Sequence, residues 1–293
     1  MKRLKDAWTK NGPELLGLLN GALPEFVTQR RPADKLSGVP VFCYHLVESA
    51  GLEADLEHLS RNGYRTLAGS ELAEYLRRER ELTEPAVLLS FDDGAFNFFE
   101  VALPLLLKFR MRATAFIAPG LHREASHNGE GSPRPMSWEE IREARGSGLV
   151  SFQSHTLESR YVPDWPLPVP LAGCAPPVEA ARRGPPLEME EDFRRSRELL
   201  EAQLGSENRA TQLAFPRYEG SDAGIAAAQA AGFEACYWGL RPGRALNRPG
   251  DSPFHITRCS DEFLRRLPGS GRITRRALVA NRLRRIRMAR GRS

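Results

Sequence analysis

The sequence predicts an α/β protein with parallel strands joined by helical crossovers, as naturally a (β/α) barrel as an open sheet. Three observations lead there. Short β-branched or apolar runs alternate with amphipathic stretches along most of the 293 residues. Several amphipathic stretches open on N-cap residues and stop at glycine. Carboxylates and imidazoles fall directly after the apolar runs, at the strand ends where a barrel assembles its chemistry.

The strand candidates are residues 39–47, 86–91, 114–118, 149–154, 213–216, 233–237 and 254–258. Between them, helical patterns run over 52–62, 72–81, 96–108, 138–145, 189–204, 223–231 and 262–267. Ser137 with Glu140 three residues on reads as a capping box, and Ser70, Ser221 and Ser260 each stand before a helical pattern. Gly148, Gly205 and Gly232 fall where helices should end.

Three segments break the rhythm. Residues 1–37 form a polar lead-in with one amphipathic helix. Residues 161–186 hold eight prolines, which exclude regular helix or an inner strand and call for an extended surface loop. Residues 269–293 form a basic tail, with nine arginines and no acid from Arg272 onward. With Leu278, Val279, Leu283 and Ile286 among the arginines, the tail suits weak contact with an anionic surface, although a solvated terminus is the simpler expectation.

Composition narrows the function. A hydrophobic share of 41% and a charged share of 27% describe a soluble globular protein, and a net charge of +5 does not by itself call for nucleic acid. The four cysteines, Cys43, Cys174, Cys236 and Cys259, form no CxxC pair, which argues against a zinc ribbon, a redox pair or a disulfide framework. The N-terminus develops no uninterrupted apolar stretch, since 15–19 is too short, so the expected location is cytoplasmic.

Four motifs end successive strands. Leu89-Ser-Phe-Asp-Asp-Gly94 puts two carboxylates at a strand terminus, where they repel unless a cation or proton lies between them. Ser154-His155-Thr156 places an imidazole after another strand, Cys43-Tyr44-His45 does so after the first, and Phe215-Pro-Arg-Tyr218 closes a fourth. Each alone is an ordinary turn or a satisfied polar residue. Together, at the same end of a (β/α) pattern, they point to a mononuclear metal hydrolase.

FCYH, LSFDDG, SHT and AFPRY, in that order, resemble the polysaccharide deacetylase family (NodB homology, carbohydrate esterase family 4) over about residues 38–268. The resemblance implies a distorted (β/α) barrel and metal-dependent removal of N-acetyl groups from a carbohydrate. It implies Asp92 as general base, Asp93 and His155 as ligands of a divalent metal (zinc in the family pattern), and His45 as acid. Arg217 and Tyr218 would lie against the substrate, with a backbone N–H there facing the developing oxyanion.

The chain departs from the pattern in three places. The family's second metal histidine should stand four residues after His155, on one helical turn with it, and Ser159 stands there instead. A serine hydroxyl is a poor zinc ligand, so the metal is expected to bind weakly or not at all. Glu158, His122 and His127 are the alternative donors. The arginine that orients the base in the family is missing before the FPRY motif, where Gln212, Leu213 and Ala214 stand, leaving Arg217 as its replacement. His255 is a second candidate for the acid. Tyr161, Trp165, Tyr218 and Trp238 are candidate sugar-stacking rings, with core packing the simpler role for each. Two other readings stand beside the deacetylase: an impaired deacetylase fold binding a glycan or partner, and a metal-free amidohydrolase on the same barrel. Asp92→Asn is expected to abolish activity at little cost in stability.

Overall fold

The computed structural model describes residues 23–29, 36–124, 134–165, 167–169, 187–205, 207–241 and 244–282. Its strands are β1 (Val41–Tyr44), β2 (Arg65–Thr66), β3 (Ala86–Asp92), β4 (Ala113–Ile117), β5 (Val150–Ser154), β6 (Arg160–Tyr161), β7 (Leu167–Pro168), β8 (Gln212–Ala214), β9 (Ala235–Trp238), β10 (Ile256–Thr257) and β11 (Cys259–Ser260). The helices are α1 (Glu25–Thr28), α2 (Ser49–Arg61), α3 (Gly69–Leu76), α4 (Leu103–Phe109), α5 (Trp138–Gly146), α6 (Met189–Leu204) and α7 (Asp222–Ala230).

The main sheet runs β10-β9-β8-β5-β4-β3-β1-β11, with β2 beside β3, and every pairing in it is parallel. Its two terminal strands are consecutive in sequence, separated only by Arg258. One extended segment therefore pairs Ile256 with Tyr237 on one side and Cys259 with Phe42 on the other. That segment curls the sheet into a nearly closed barrel.

Side chains alternate across this wall, as a pleated strand requires. Val41, Leu88, Phe116, Ala214, Ala235, Tyr237 and Ile256 face inward and pack with Leu72 and Leu76 of α3, which plug the end opposite the strand C-termini. Phe42, Leu89, Phe91, Ala115, Ile117 and Phe152 face outward into a larger core with α2, α4 and α5. Leu213, Phe215, Cys236 and Trp238 do so into a third cluster with Phe193 of α6 and Ala228 of α7.

All seven expected strands are present. The unexpected β2, β6, β7 and β11 have two residues each, too short for a period to show. Ser137 makes the capping box with Glu140, and Ser221 and Ser260 cap their helices. Ser70 does not: α3 begins one residue earlier, with the Ala68 N–H held by Glu71, a carboxylate also fixed by Arg65 and Arg112. The pattern at 96–108 opens as a π-helical turn, Phe98–Ala102, before α4. Pro104, which has no N–H to donate, sits at that junction.

The described start of the basic tail is anchored at two points, while Arg275, Arg276 and Val279 remain exposed. Arg272 donates to the carbonyls of Phe26 and Gln29 beside α1, and Leu278 is buried. Residues 1–22, 30–35 and 283–293, His127, Cys174 and most of the proline-rich stretch lie outside the described residues. Among the described residues no helix is long and apolar enough to cross a membrane.

The barrel seam is stitched by one side chain. Asn247, buried, donates from Nδ2 to the carbonyls of Val39 and Thr257, each at 3.0 Å, and accepts from the Thr257 N–H at 2.9 Å. Val39 precedes the first strand and Thr257 lies in the closing one, so the amide joins the two ends of the fold. Asn247→Ala strands the Thr257 N–H and carbonyl, two buried backbone groups each worth about 1–3 kcal/mol, while the Val39 carbonyl keeps the Asn247 backbone N–H. The variant should lose roughly 2–4 kcal/mol in urea unfolding, with an unchanged denaturant slope.

Candidate active site

The mouth at the strand C-termini gathers side chains that the sequence scatters over more than 200 positions. Cys43 and His45 share the inner side of β1 and its extension. Asp92 ends β3, Asp93 follows it, and His155 follows β5. The His155 Nε2 lies 4.0 Å from Asp92 Oδ2 and 3.6 Å from Asp93 Oδ1. Cys43, His45 and Asp92 present ligand atoms within 4.8 Å of one another. Asp92, Asp93 and His155 are all buried, while His45 is half-buried.

Arg258, from the one-residue joint between β10 and β11, is the residue that sequence reasoning missed. It is 2% exposed and donates from Nη1 to Asp92 Oδ1 at 2.6 Å. Burial alone would raise the Asp92 pKa, but Arg258, His155 and His45 together hold it below the usual carboxylate range. The same pairing raises Arg258 against its own burial. Arg217 is exposed and turned over the Tyr161 ring, so it does not replace the family's base-orienting arginine; Arg258 makes that contact. The available signal was a lone arginine inside the apolar run 254–258, at an inward-facing position.

Backbone strain concentrates here. Among the described non-glycine residues, seven have positive φ: Arg78 and Arg110 at helix ends, and Asp93, Thr156, Ser159, Arg217 and Tyr218 in the loops after β3, β5 and β8. Such conformations cost roughly 1–3 kcal/mol each and persist where surrounding contacts enforce them. Gly94 is required by a close approach: at φ +67°, a Cβ would come within 2.7 Å of His122 Cε1 and 2.8 Å of Ile117 Cγ2.

The loop after His155 is a turn, not the expected helical turn. Thr156 Oγ1 accepts from the Arg160 N–H, Asp192 of α6 accepts from the Leu157 N–H, and Ser154 Oγ accepts from Thr156. These local bonds outcompete the helix. Ser159 ends this turn, wholly buried, and its hydroxyl finds no hydrogen-bond partner.

A metal can be tested against these residues. The His155 Nδ1 donates to the Ala214 carbonyl at 2.9 Å, which leaves the Nε2 lone pair facing the carboxylates. Asp93 and His155 therefore fit as two protein ligands of a divalent ion, and the sequence position of the family's third ligand holds Ser159, whose buried oxygen has no hydrogen-bond partner. Glu158 is paired with Arg160 at 2.6 Å. His122 is buried with Nδ1 on the Met136 carbonyl, and burial lowers its pKa to about 4, keeping it neutral. It does not close a three-residue set with Asp93 and His155.

The remaining candidates sort by place. Tyr218 lies beside His45, its Oη 3.4 Å from Nδ1, but its backbone N–H is committed to the Phe215 carbonyl and does not serve an oxyanion. Trp165 anchors to the Leu187 carbonyl and Phe193, Trp238 is buried against Phe215, and His255 stacks on Trp238. Tyr161 bonds Glu219.

Comparison with known proteins gives one family. Its sequence model, described as polysaccharide deacetylase, matches residues 79–236, more than half of the chain. The chain is 29% identical over 133 residues to a putative polysaccharide deacetylase, YxkH, of Bacillus subtilis, covering 43% of this chain and 44% of that protein. It is 29% identical over 122 residues to the poly-beta-1,6-N-acetyl-D-glucosamine N-deacetylase of Escherichia coli, covering 39% of this chain and 18% of that one. The chain thus spans less than half the length of these relatives. IcaB from Ammonifex degensii shares the fold at 24% identity, with a TM-score of 0.61 over 78% of this chain and 95% of that one. The BpsB deacetylase domain from Bordetella bronchiseptica does so at 19% and 0.58, over 78% and 97%.

Two predictions follow from the buried charges. Arg258→Met leaves the Asp92 carboxylate buried without its partner and should cost about 3–5 kcal/mol in urea unfolding at pH 7. Adding Asp92→Asn should recover much of that loss. By the same reasoning Asp92→Asn alone strands the guanidinium, so it should destabilise the fold, contrary to the expectation from sequence. Asp192 is the second case: burial raises its pKa to about 7. A carboxyl raised in the native state contributes stability that is complete below about pH 4 and lost as pH rises to about 7. Asp192→Asn keeps a carbonyl for the Leu157 N–H, and should match the parent near pH 4 while exceeding it by about 2–4 kcal/mol at pH 8. Unfolding curves across that range are the measurement.

Proposed function

Because the chain belongs to the polysaccharide deacetylase family, we propose that it hydrolyses N-acetyl groups from an N-acetylated carbohydrate, with poly-N-acetylglucosamine as the substrate class. One observation carries this reading: Asp92 is kept ionised by a buried arginine within reach of His155, Asp93 and His45 at one barrel mouth. An ionised carboxylate in so dry a place needs a reason, and general-base work supplies one.

In this mechanism Asp92 takes a proton from the attacking water through Oδ2, while Arg258 retains Oδ1. The water oxygen bonds to the acetamide carbonyl carbon, and the C–N bond breaks to give acetate and an amine. His45 delivers the proton to the departing nitrogen, its ring steadied by Tyr218. Asp93 and His155 would hold a divalent cation, which when bound supplies Lewis acidity towards the carbonyl and the water. With Ser159 at the sequence position of the family's second imidazole, cation binding should be weaker than two imidazoles and a carboxylate provide.

A second reading rests on the same serine: an impaired deacetylase fold that binds glycan without turning it over. Acetate release from β-1,6- and β-1,4-linked N-acetylglucosamine oligomers, with added zinc or cobalt, separates the two. Activity is expected in the metal-supplemented parent. Asp92→Asn should lower kcat/KM by roughly 10²–10⁴-fold, read on protein shown by circular dichroism to remain folded at the assay temperature. Full activity in that variant would remove the base assignment.

A further inference from the structure

The barrel mouth contains a second group of donors, distinct from Asp93 and His155. Cys43 and His45 are two residues apart in extended backbone, so both point to the inner side of the wall. Cys43 pairs in register with Ser90, and Asp92 lies two residues beyond Ser90 on the same face. One ligand atom from each of Cys43, His45 and Asp92 lies within 4.8 Å of the other two, and among the described residues no other set of three does so. Cys43 is a buried thiol with no disulfide partner.

We propose that Cys43, His45 and Asp92 form a binding site for a thiophilic divalent cation, zinc above all, and that filling it silences the hydrolase. A thiolate, an imidazole and a carboxylate are the donors zinc accepts at tetrahedral sites, with water as the fourth. Arg258 occupies only Asp92 Oδ1, leaving Oδ2. Its Nε and Nη2 are buried with no hydrogen-bond partner; burial pushes the Cys43 thiol up and the Arg258 charge beside it works against that rise, so the cation itself must displace the thiol proton. A thiolate at Cys43 gives that guanidinium a second counter-charge. Half-buried His45 provides the way in.

Binding replaces the thiol proton. The Sγ–H bond breaks, Sγ bonds to the cation and that proton leaves to the buffer, joined by the His45 proton wherever the imidazole stands charged as the acid. The same event takes up Asp92 Oδ2 and the imidazole lone pair. Base and acid are both withdrawn, so excess zinc opposes the activity that a cation at Asp93 and His155 supports. The silencing rests on the deacetylase reading; the site does not.

The test uses the full chain, stripped by chelation and titrated with cobalt(II), which reports thiolate ligation through a near-ultraviolet charge-transfer band. The band is expected in the parent, in Asp93→Asn and in His155→Ala, and should be lost in Cys43→Ser or, if that variant misfolds, Cys43→Ala. Titration in buffers of different protonation enthalpy should show at least one proton released per ion. A cobalt-loaded parent without the band, or a band retained by both Cys43 variants, would overturn the site. A band in the parent with acetate release undiminished by excess zinc overturns the silencing alone. Absence of acetate release at every zinc level condemns the deacetylase reading and leaves the spectra to decide the site.

Discussion

The ion pair between Arg258 and Asp92 is the constraint around which the site is organised. It joins the segment that closes the barrel to the strand that ends in Asp92, 166 positions apart. A buried carboxylate and a buried guanidinium are each costly alone, and breaking such a pair is worse than never forming it. The fold therefore ties its topology to its chemistry. If the seam opens, Asp92 loses its counter-ion, and if Asp92 is absent, the seam carries a stranded charge. Asn247 reinforces the same junction through neutral amide bonds.

Around that pair the loops are held in conformations that L-residues rarely adopt. Asp93, Thr156, Ser159, Arg217 and Tyr218 all have positive φ, and each lies just past an inner strand. The strand ends are rigid, so the loops bend sharply to keep side chains over the mouth. Local bonds from Thr156, Ser154 and Asp192 stabilise the turn that carries His155 and Ser159. That turn brings one imidazole towards the carboxylates, and at the sequence position of the family's second imidazole it buries the Ser159 hydroxyl. The donors at this mouth divide into two groups: Asp93 with His155, and Cys43 and His45 with Asp92. The first matches the family's metal pattern in part. The second follows from this chain's own Cys43.

Much of the architecture was legible in the chain. Alternating apolar runs and amphipathic stretches, with caps and stops between them, mark each strand of the barrel longer than two residues. The residues at the strand termini identify the mouth, because the hydrophobic period ends where the polar motif begins. Asp92, Asp93, His155 and His45 are visible this way, and the departure at Ser159 is a plain reading of spacing. Two-residue strands left no period to detect. The π-helical turn at Phe98–Ala102 and the non-helical loop after His155 depend on local hydrogen bonds whose donors lie elsewhere in the fold.

The sequence by itself determined the class of fold, the strand ends that carry chemistry and the identity of most groups there, since these follow from local periodicity and residue type. Only the tertiary structure decided which arginine meets Asp92, which of Glu158, His122 and Ser159 lies where, and that Cys43 stands beside the proposed base and acid. Those facts depend on barrel closure, which pairs residues at the two extremes of the chain. Coulombic and packing interactions at such separations act through three-dimensional distance, and no spacing along the chain records it.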